Sequence, residues 1–198
     1  AAKFCNLNEE KIFNSLKKIR YVSGRLELVR VFSNNIKVYV DFAHTPDALK
    51  KTLKALRDLY GDNISIVFGC GGDRDFKKRP MMAKIVNSNC KKIYITDDNP
   101  RSESPHKIRK TILKYIKDRD CFNIGNRSKA IHSAIINSEP NDVILIAGKG
   151  HESEQIYKNR VIKISDKQII KRLNKIKKIS HAQQNYLQNQ KILSEIKS

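Results

Sequence analysis

No stretch of this 198-residue chain stays apolar for the roughly 20 residues that a bilayer-spanning helix needs, so a helical membrane anchor is not expected. Cysteine is scarce. The four present, Cys5, Cys70, Cys90 and Cys121, form no C-x-x-C pair and have no histidine at metal-ligand spacing, which argues against a zinc site and a disulfide framework. They read as reduced packing residues. The opening stretch AAKFCNLNEEKIF has no basic head followed by an apolar run, so it does not read as a secretory signal, and the cytoplasm is the expected location. Acidic residues are few, 20 against 40 lysines and arginines, for a formal charge of +20.

That excess invites a nucleic-acid reading, because basic side chains displace counterions from phosphate backbones. Its distribution speaks against one. Residues 171–198 carry seven basic residues and one acid, which leaves +14 spread over the rest of the chain rather than gathered in a stripe. Lysine also comes with abundant Ile and Asn, as codon drift in an A+T-rich genome would produce. A basic nucleic-acid-binding module on a Rossmann-like sheet is kept as the alternative reading, and nucleic acid is not the expected partner.

What the sequence does contain, from residue 35 onward, is an alternation of two periods. NIKVYVDFA, ISIVFGC, KKIYITDD and DVILIAGKG are apolar runs of strand length. PDALKKTLKALRDLY, RPMMAKIVNSN, SPHKIRKTILKYIK and NRSKAIHSAIINS between them place apolar residues at helical spacing. Strands separated by helices imply parallel pairing through crossover connections, hence an α/β fold with a Rossmann-like, mostly parallel sheet and flanking helices. YKNRVIKISD reads as one late extended piece, followed by a helix over DKQIIKRLNKIKK, and EEKIFNSLKKI reads as an early helix.

Ligands of such sheets sit beyond the carboxyl ends of the strands. The polar residues collect there, in DFAHTPD, GCGGDRDFKKRP, DDNPR and GKGHE. GCGGDRD has the glycines of a phosphate-cradling turn, but its third dinucleotide-fingerprint position falls on Arg74, which disfavours a nicotinamide-dependent oxidoreductase; a tight strand exit explains the glycines equally well. His151 has no visible nucleophile to serve as base for, whereas Glu152 suits an ammonium. In DFAHTP, a helix start explains Thr45 and Pro46 and leaves Asp41 and His44 without a task. In DDNPR, Asp98 and Arg101 suit a zwitterion: the planar guanidinium grips a carboxylate through two parallel hydrogen bonds while the aspartate takes the ammonium, so an amino acid is the expected ligand.

Taken in order, GRLE (24–27), DFAHTPDAL (41–49), FGCGGDRDFKKRP (68–80), TDDNPRSE (96–103) and AGKGHE (147–152) strongly resemble the C-terminal domain of the Mur ligases, over about residues 24–173. Within that family DNPR marks the branch that adds meso-2,6-diaminopimelate rather than lysine to the peptidoglycan precursor UDP-MurNAc-L-Ala-D-Glu. The resemblance implies an amino-acid site made of Arg74, Asp98, Asn99, Pro100, Arg101, Gly148 and Glu152, with Arg101 on the distal carboxylate and Asp98 and Glu152 on the ammonium. It also implies that Arg25, Asp41 and His44 face a nucleotide. Lysine would leave Arg101 desolvated without its anion, and sites built around a polar substrate group reject analogues that lack it.

The implied chemistry is ATP-dependent amide formation. The D-glutamate carboxylate is phosphorylated with Mg²⁺ offsetting charge, and the amine of diaminopimelate displaces phosphate from the acyl phosphate. The sequence departs from the family in lacking a G-x-x-x-x-G-K-[ST] phosphate loop. ATP and Mg²⁺ are therefore expected to be bound mainly by a central ATPase domain absent here, with no metal held by this chain. Residues 1–23 are expected to be the end of that domain and its linker, 24–173 the amino-acid-binding domain, and 174–198 a polar helical or disordered tail. The chain reads as an excised piece, a split or decayed gene product, or one part of a two-chain enzyme whose complementary chain carries the ATPase. Alone, it is not expected to catalyse.

Overall fold

The structure, a computed structural model, describes residues 8–16 and 22–173. The expected tail over 174–198 lies outside these residues, as do parts of the stretches EEKIFNSLKKI and DKQIIKRLNKIKK expected as the first and last helices. Within the early helix, α1 (Glu9–Leu16) is formed, and the Asn8 side chain accepts a hydrogen bond from the backbone N–H of Lys11 at its start.

Six strands make the main sheet: β1 (Glu27–Val31), β2 (Lys37–Asp41), β3 (Ile64–Phe68), β4 (Lys92–Ile95), β5 (Asp120–Asn123) and β6 (Val143–Ala147), in the order β1-β2-β6-β3-β4-β5. All neighbours are parallel except β1 against β2. β6 enters between β2 and β3, with Asp41 opposite Ala147 and Val67 opposite Ile146. The sheet is thus the Rossmann-like, mostly parallel α/β sheet that alternating periods imply.

Its two faces are built from alternate residues of the same strands. Ile64, Ile66 and Phe68 of β3 face one way with Leu145, and pack against α2 (Pro46–Tyr60), α3 (Lys78–Asn89) and α4 (Pro105–Leu113). Val67, Tyr94, Ile144 and Ile146 face the other way, against α5 (Arg127–Ile136) and α6 (Asp166–Arg172). β3 and β6 are buried at every position because both faces are covered, which is why they read as unbroken apolar runs. Helix starts follow local rules: Thr45 accepts from the N–H of Ala48 with Pro46 in the first turn of α2, and Asn126 accepts from the N–H of Lys129 at α5.

Three elements differ from the reading of the sequence. β1 and β5 are edge strands absent from it. β5 is four residues, DCFN, with no position fully buried, so it carries no apolar signal and is defined by pairing with β4. The single extended piece expected at YKNRVIKISD is instead a hairpin, β7 (Glu154–Tyr157) and β8 (Arg160–Lys163), turning at Lys158-Asn159.

Candidate functional site at the carboxyl edge of the sheet

Because β2, β6, β3 and β4 are adjacent and parallel, the segments after Asp41, Ala147, Phe68 and Ile95 leave from one edge. The segments after β3 and β4 meet backbone to backbone. The N–H of Gly72 donates to the carbonyl of Asn99 at 2.9 Å, and a Cβ on Gly72 would meet the Pro100 carbonyl oxygen at 1.9 Å. Glycine here serves loop-on-loop packing. Arg79 reinforces the junction: its Nη1 and Nη2 donate to Glu103, and Nη2 also donates to the carbonyl of Gly71. The hydrogen bond from Arg79 is the main cause holding the Glu103 carboxyl below the usual carboxylate range.

The DNPR loop is bolted from behind by Asp97, to which sequence reasoning gave no role. Asp97 takes hydrogen bonds from Arg109 of α4 and, at 3.0 Å, from the Tyr157 hydroxyl of the hairpin, while Gln155 Nε2 donates to its carbonyl. Burial, with the adjacent Asp97 carboxylate, pushes the Tyr157 phenol up to about 12. Arg101, at φ +53°, joins the hairpin through its N–H to the carbonyl of Ile156. Its Nη1 donates to the carbonyls of Gly72 and Asn99 at 2.9 and 3.3 Å, and its Nη2 and Nε make no hydrogen bond among the described residues. One edge of the guanidinium fork is anchored and the other is open for a carboxylate.

The acidic half of the site lies alongside. Asp98 is 9% exposed, its carboxylate accepts no hydrogen bond among the described residues, and Gly148 lies against it: a Cβ there would sit 2.6 Å from Asp98 Oδ2. Glu152 is half-buried and only its Oε2 is used, accepting from Lys149 Nζ at 2.9 Å and Asn99 Nδ2 at 3.2 Å. Asn99 Oδ1 accepts from the Ile156 N–H and from Lys149 Nζ. Lys149 has no exposed surface, and its place between two glycines gives no sequence signal for that burial. Of the amino-acid-site residues named from sequence, Asp98, Asn99, Pro100, Arg101, Gly148 and Glu152 are thus linked by contacts. Arg74 is exposed; its Cγ lies near the Gly71 turn beside Arg101, and its guanidinium makes no hydrogen bond among the described residues.

Arg25, Asp41 and His44 fall into two situations. Arg25 and His44 are exposed and flank Phe42, the guanidinium 4.7 Å and the imidazole 4.5 Å from its ring centre, with His151 at 5.4 Å. This is a polar-aromatic patch on which a planar ring can stack. Asp41 is buried and fully engaged: Oδ1 accepts from the N–H groups of Leu26 and Phe42, and Oδ2 from the Thr52 hydroxyl at 2.5 Å. A separate cavity of about 720 Å³ has Arg109, Arg127, Tyr157 and Gln168 among its walls, and none of Arg74, Asp98, Arg101, Gly148 or Glu152 lines it. Among the described residues no cluster of three or more His, Cys, Asp or Glu could hold a metal ion, and no helix is long and apolar enough to cross a membrane.

Residues 24–150 match the family described as Mur ligase, glutamate ligase domain. A UDP-N-acetylmuramoyl-L-alanyl-D-glutamate–2,6-diaminopimelate ligase of Buchnera aphidicola subsp. Schizaphis graminum is 41% identical over 169 residues, 85% of this chain and 34% of its own length. The enzyme of the same name from Bradyrhizobium diazoefficiens is 46% identical over 159 residues, 80% of this chain and 32% of its own. A solved structure of a ligase of that name superposes with a TM-score of 0.70 at 31% identity, covering 86% of this chain and 35% of that one. The chain spans about a third of the length of the curated relatives it matches.

Proposed function

This chain belongs to the Mur ligase family through its glutamate ligase domain, and we propose that it is the amino-acid-receiving part of a ligase that adds 2,6-diaminopimelate to UDP-MurNAc-L-Ala-D-Glu in peptidoglycan synthesis. The observation that carries this reading is the pairing of an open guanidinium edge on Arg101 with the unengaged carboxylate oxygens of Asp98 and Glu152. A diamino diacid offers an ammonium and a carboxylate at the end remote from its reacting amine. Lysine offers the ammonium alone. Arg101 would hold the distal carboxylate in a bidentate pair, Asp98 and Glu152 the ammonium, and Arg74, exposed near the glycine turn, would close over the bound ligand.

Residues 24–173 form this unit in the proposal, with residues 1–23 the end of a preceding ATPase domain and its linker; no role is assigned to 174–198. ATP and Mg²⁺ would act in the part of the relatives' length this chain does not span, supplied by the same polypeptide or a complementary one. They would activate the carboxylate that the bound amine attacks. Arg25, Phe42, His44 and His151 would present the nucleotide-facing surface, and Asp41 would hold that surface in place through Leu26, Phe42 and Thr52. Bond formation requires both halves, so the chain by itself would bind without turnover.

Calorimetric titration of the 198-residue chain with meso-diaminopimelate, beside L-lysine and an Arg101→Ala variant, tests this. Binding of diaminopimelate alone, lost in the variant, is expected. Equal binding of lysine and diaminopimelate, or full binding by the variant, would overturn the assignment of Arg101.

A further inference from the structure

Lys149 is a buried cation of the carboxyl-edge site that the amino-acid-binding reading leaves without a role. Its side chain is wholly buried, and desolvating an ammonium costs several kcal/mol unless good partners take its protons. A methionine would fill similar space without that cost. What the ammonium adds must therefore lie in what it holds.

It holds a closed triangle. Nζ donates to Glu152 Oε2 at 2.9 Å and to Asn99 Oδ1 at 3.2 Å, and Asn99 Nδ2 donates to the same Glu152 oxygen at 3.2 Å. The orientation of the Asn99 amide is not free. Two donors, Lys149 Nζ and the Ile156 N–H at 3.0 Å, point at one end of it, so the oxygen must sit there and the NH₂ must face Glu152. Lys149 and the Ile156 N–H together set the Asn99 amide, and Lys149 and Asn99 set which Glu152 oxygen is consumed. Glu152 is otherwise loosely held, with its side chain 36% exposed and no other hydrogen-bond partner among the described residues.

We propose that Lys149 is a positioning residue of the ligand site: its buried ammonium locks Asn99 and Glu152 Oε2 in one arrangement, so that Glu152 Oε1 is left free, with the unengaged Asp98 carboxylate, as a preformed seat for a ligand ammonium. This rests on the amino-acid-binding reading of the site. Electrostatically a lysine beside that seat opposes a second cation, so its benefit is conformational. The carboxylate is ordered before the ligand arrives, and the ordering entropy is not charged to binding. The role is specific to the ammonium end. Groups that meet the open edge of Arg101, with which Lys149 makes no hydrogen bond among the described residues, should sense Lys149 little.

The test compares wild type with Lys149→Met in the full chain, in two arms. In the ligand-free arm, NMR reads hydrogen exchange of the Asn99 side-chain amide, expected to speed up at least tenfold in the variant while the backbone amides of β6 keep their protection. In the ligand arm, meso-diaminopimelate is compared with pimelate, which keeps both carboxylates and lacks both amines. The variant should lose tenfold or more in affinity for diaminopimelate and stay within twofold for pimelate. Unchanged Asn99 exchange overturns the proposal, and so does an equal fall for both ligands, which would mean general damage to the site. If wild type binds no diaminopimelate, the amino-acid-binding reading fails while the exchange arm still decides whether Lys149 orders Asn99. Should Lys149→Met not fold, Lys149→Gln, whose amide NH₂ can still donate, carries the same comparisons with a smaller expected loss.

Discussion

Arg127 and Asp166, 39 residues apart in sequence, form an ion pair with neither side chain exposed, Arg127 Nε and Nη2 each donating at 2.8 Å to a different carboxylate oxygen. Arg127 Nη2 also donates to the carbonyl of Ala147, the last residue of β6 before the GKGHE loop. The first turns of α5 and α6 are thereby fastened to the strand end that carries Gly148 and Lys149. Removing one partner leaves an uncompensated buried charge, which typically costs about 3–5 kcal/mol. Asp166→Ala and Arg127→Met should each lower urea stability by about that much, and the double variant Arg127→Met/Asp166→Leu should be more stable than either single one.

Gly148 adopts φ +112°, a region L side chains avoid, and faces Asp98 Oδ2. Gly148→Ala must strain the backbone and push the Asp98 carboxylate aside. A loss of about 1–3 kcal/mol in stability is expected, together with loss of diaminopimelate binding, read by thermal melting and calorimetry on the same sample.

The Arg79–Glu103 pair is asymmetric, with the arginine side chain 6% and the glutamate side chain 35% exposed. Glu103→Ala, which strands a buried guanidinium, should therefore destabilise more than Arg79→Met, which releases a carboxylate that can turn to water. Chemical denaturation of the two variants gives the order directly.

The same pair fixes an acid response. Hydrogen bonding from Arg79 depresses the Glu103 carboxyl in the folded state below its ordinary value of 4.5. Its contribution is thus fully present above that value and lost as pH falls through the depressed one. Stability measured between pH 7 and pH 2 should fall less steeply below pH 4.5 in Glu103→Gln than in wild type, the difference being confined to that acid window.

Cys70 is buried, and burial pushes its thiol up to about 12; Cys90 is buried and shifted in the same direction for the same reason. Both should resist iodoacetamide at pH 8 in the native chain and react once denaturant is added. Peptide mass mapping reads the outcome; rapid native labelling of Cys70 would mean that the β3 exit is not closed as described.

Much of this was legible in the residues. The unbroken runs of β3 and β6, the Thr45-Pro46 start of α2 and the placing of polar loops at strand ends follow from period, capping and parallel pairing. DDNPR carries more charge than a turn needs, which is what singles it out in the sequence as a candidate ligand loop. β1, β5 and the β7–β8 hairpin were not legible, being short and partly exposed, and pairing partners rather than apolar pattern define them.

The sequence by itself determined the alternating α/β plan, the four loops and the residue types they carry, because hydrophobic period and turn chemistry act locally along the chain. Only the tertiary structure decided that Lys149 is buried, that Asp97 and Asp41 serve as internal anchors, and that Gly72 admits the Pro100 backbone. Burial and hydrogen-bond partnership depend on segments that the fold brings together, as it does Lys149 and Asn99 across 50 residues, and no local pattern encodes which of several adjacent charges the fold will cover.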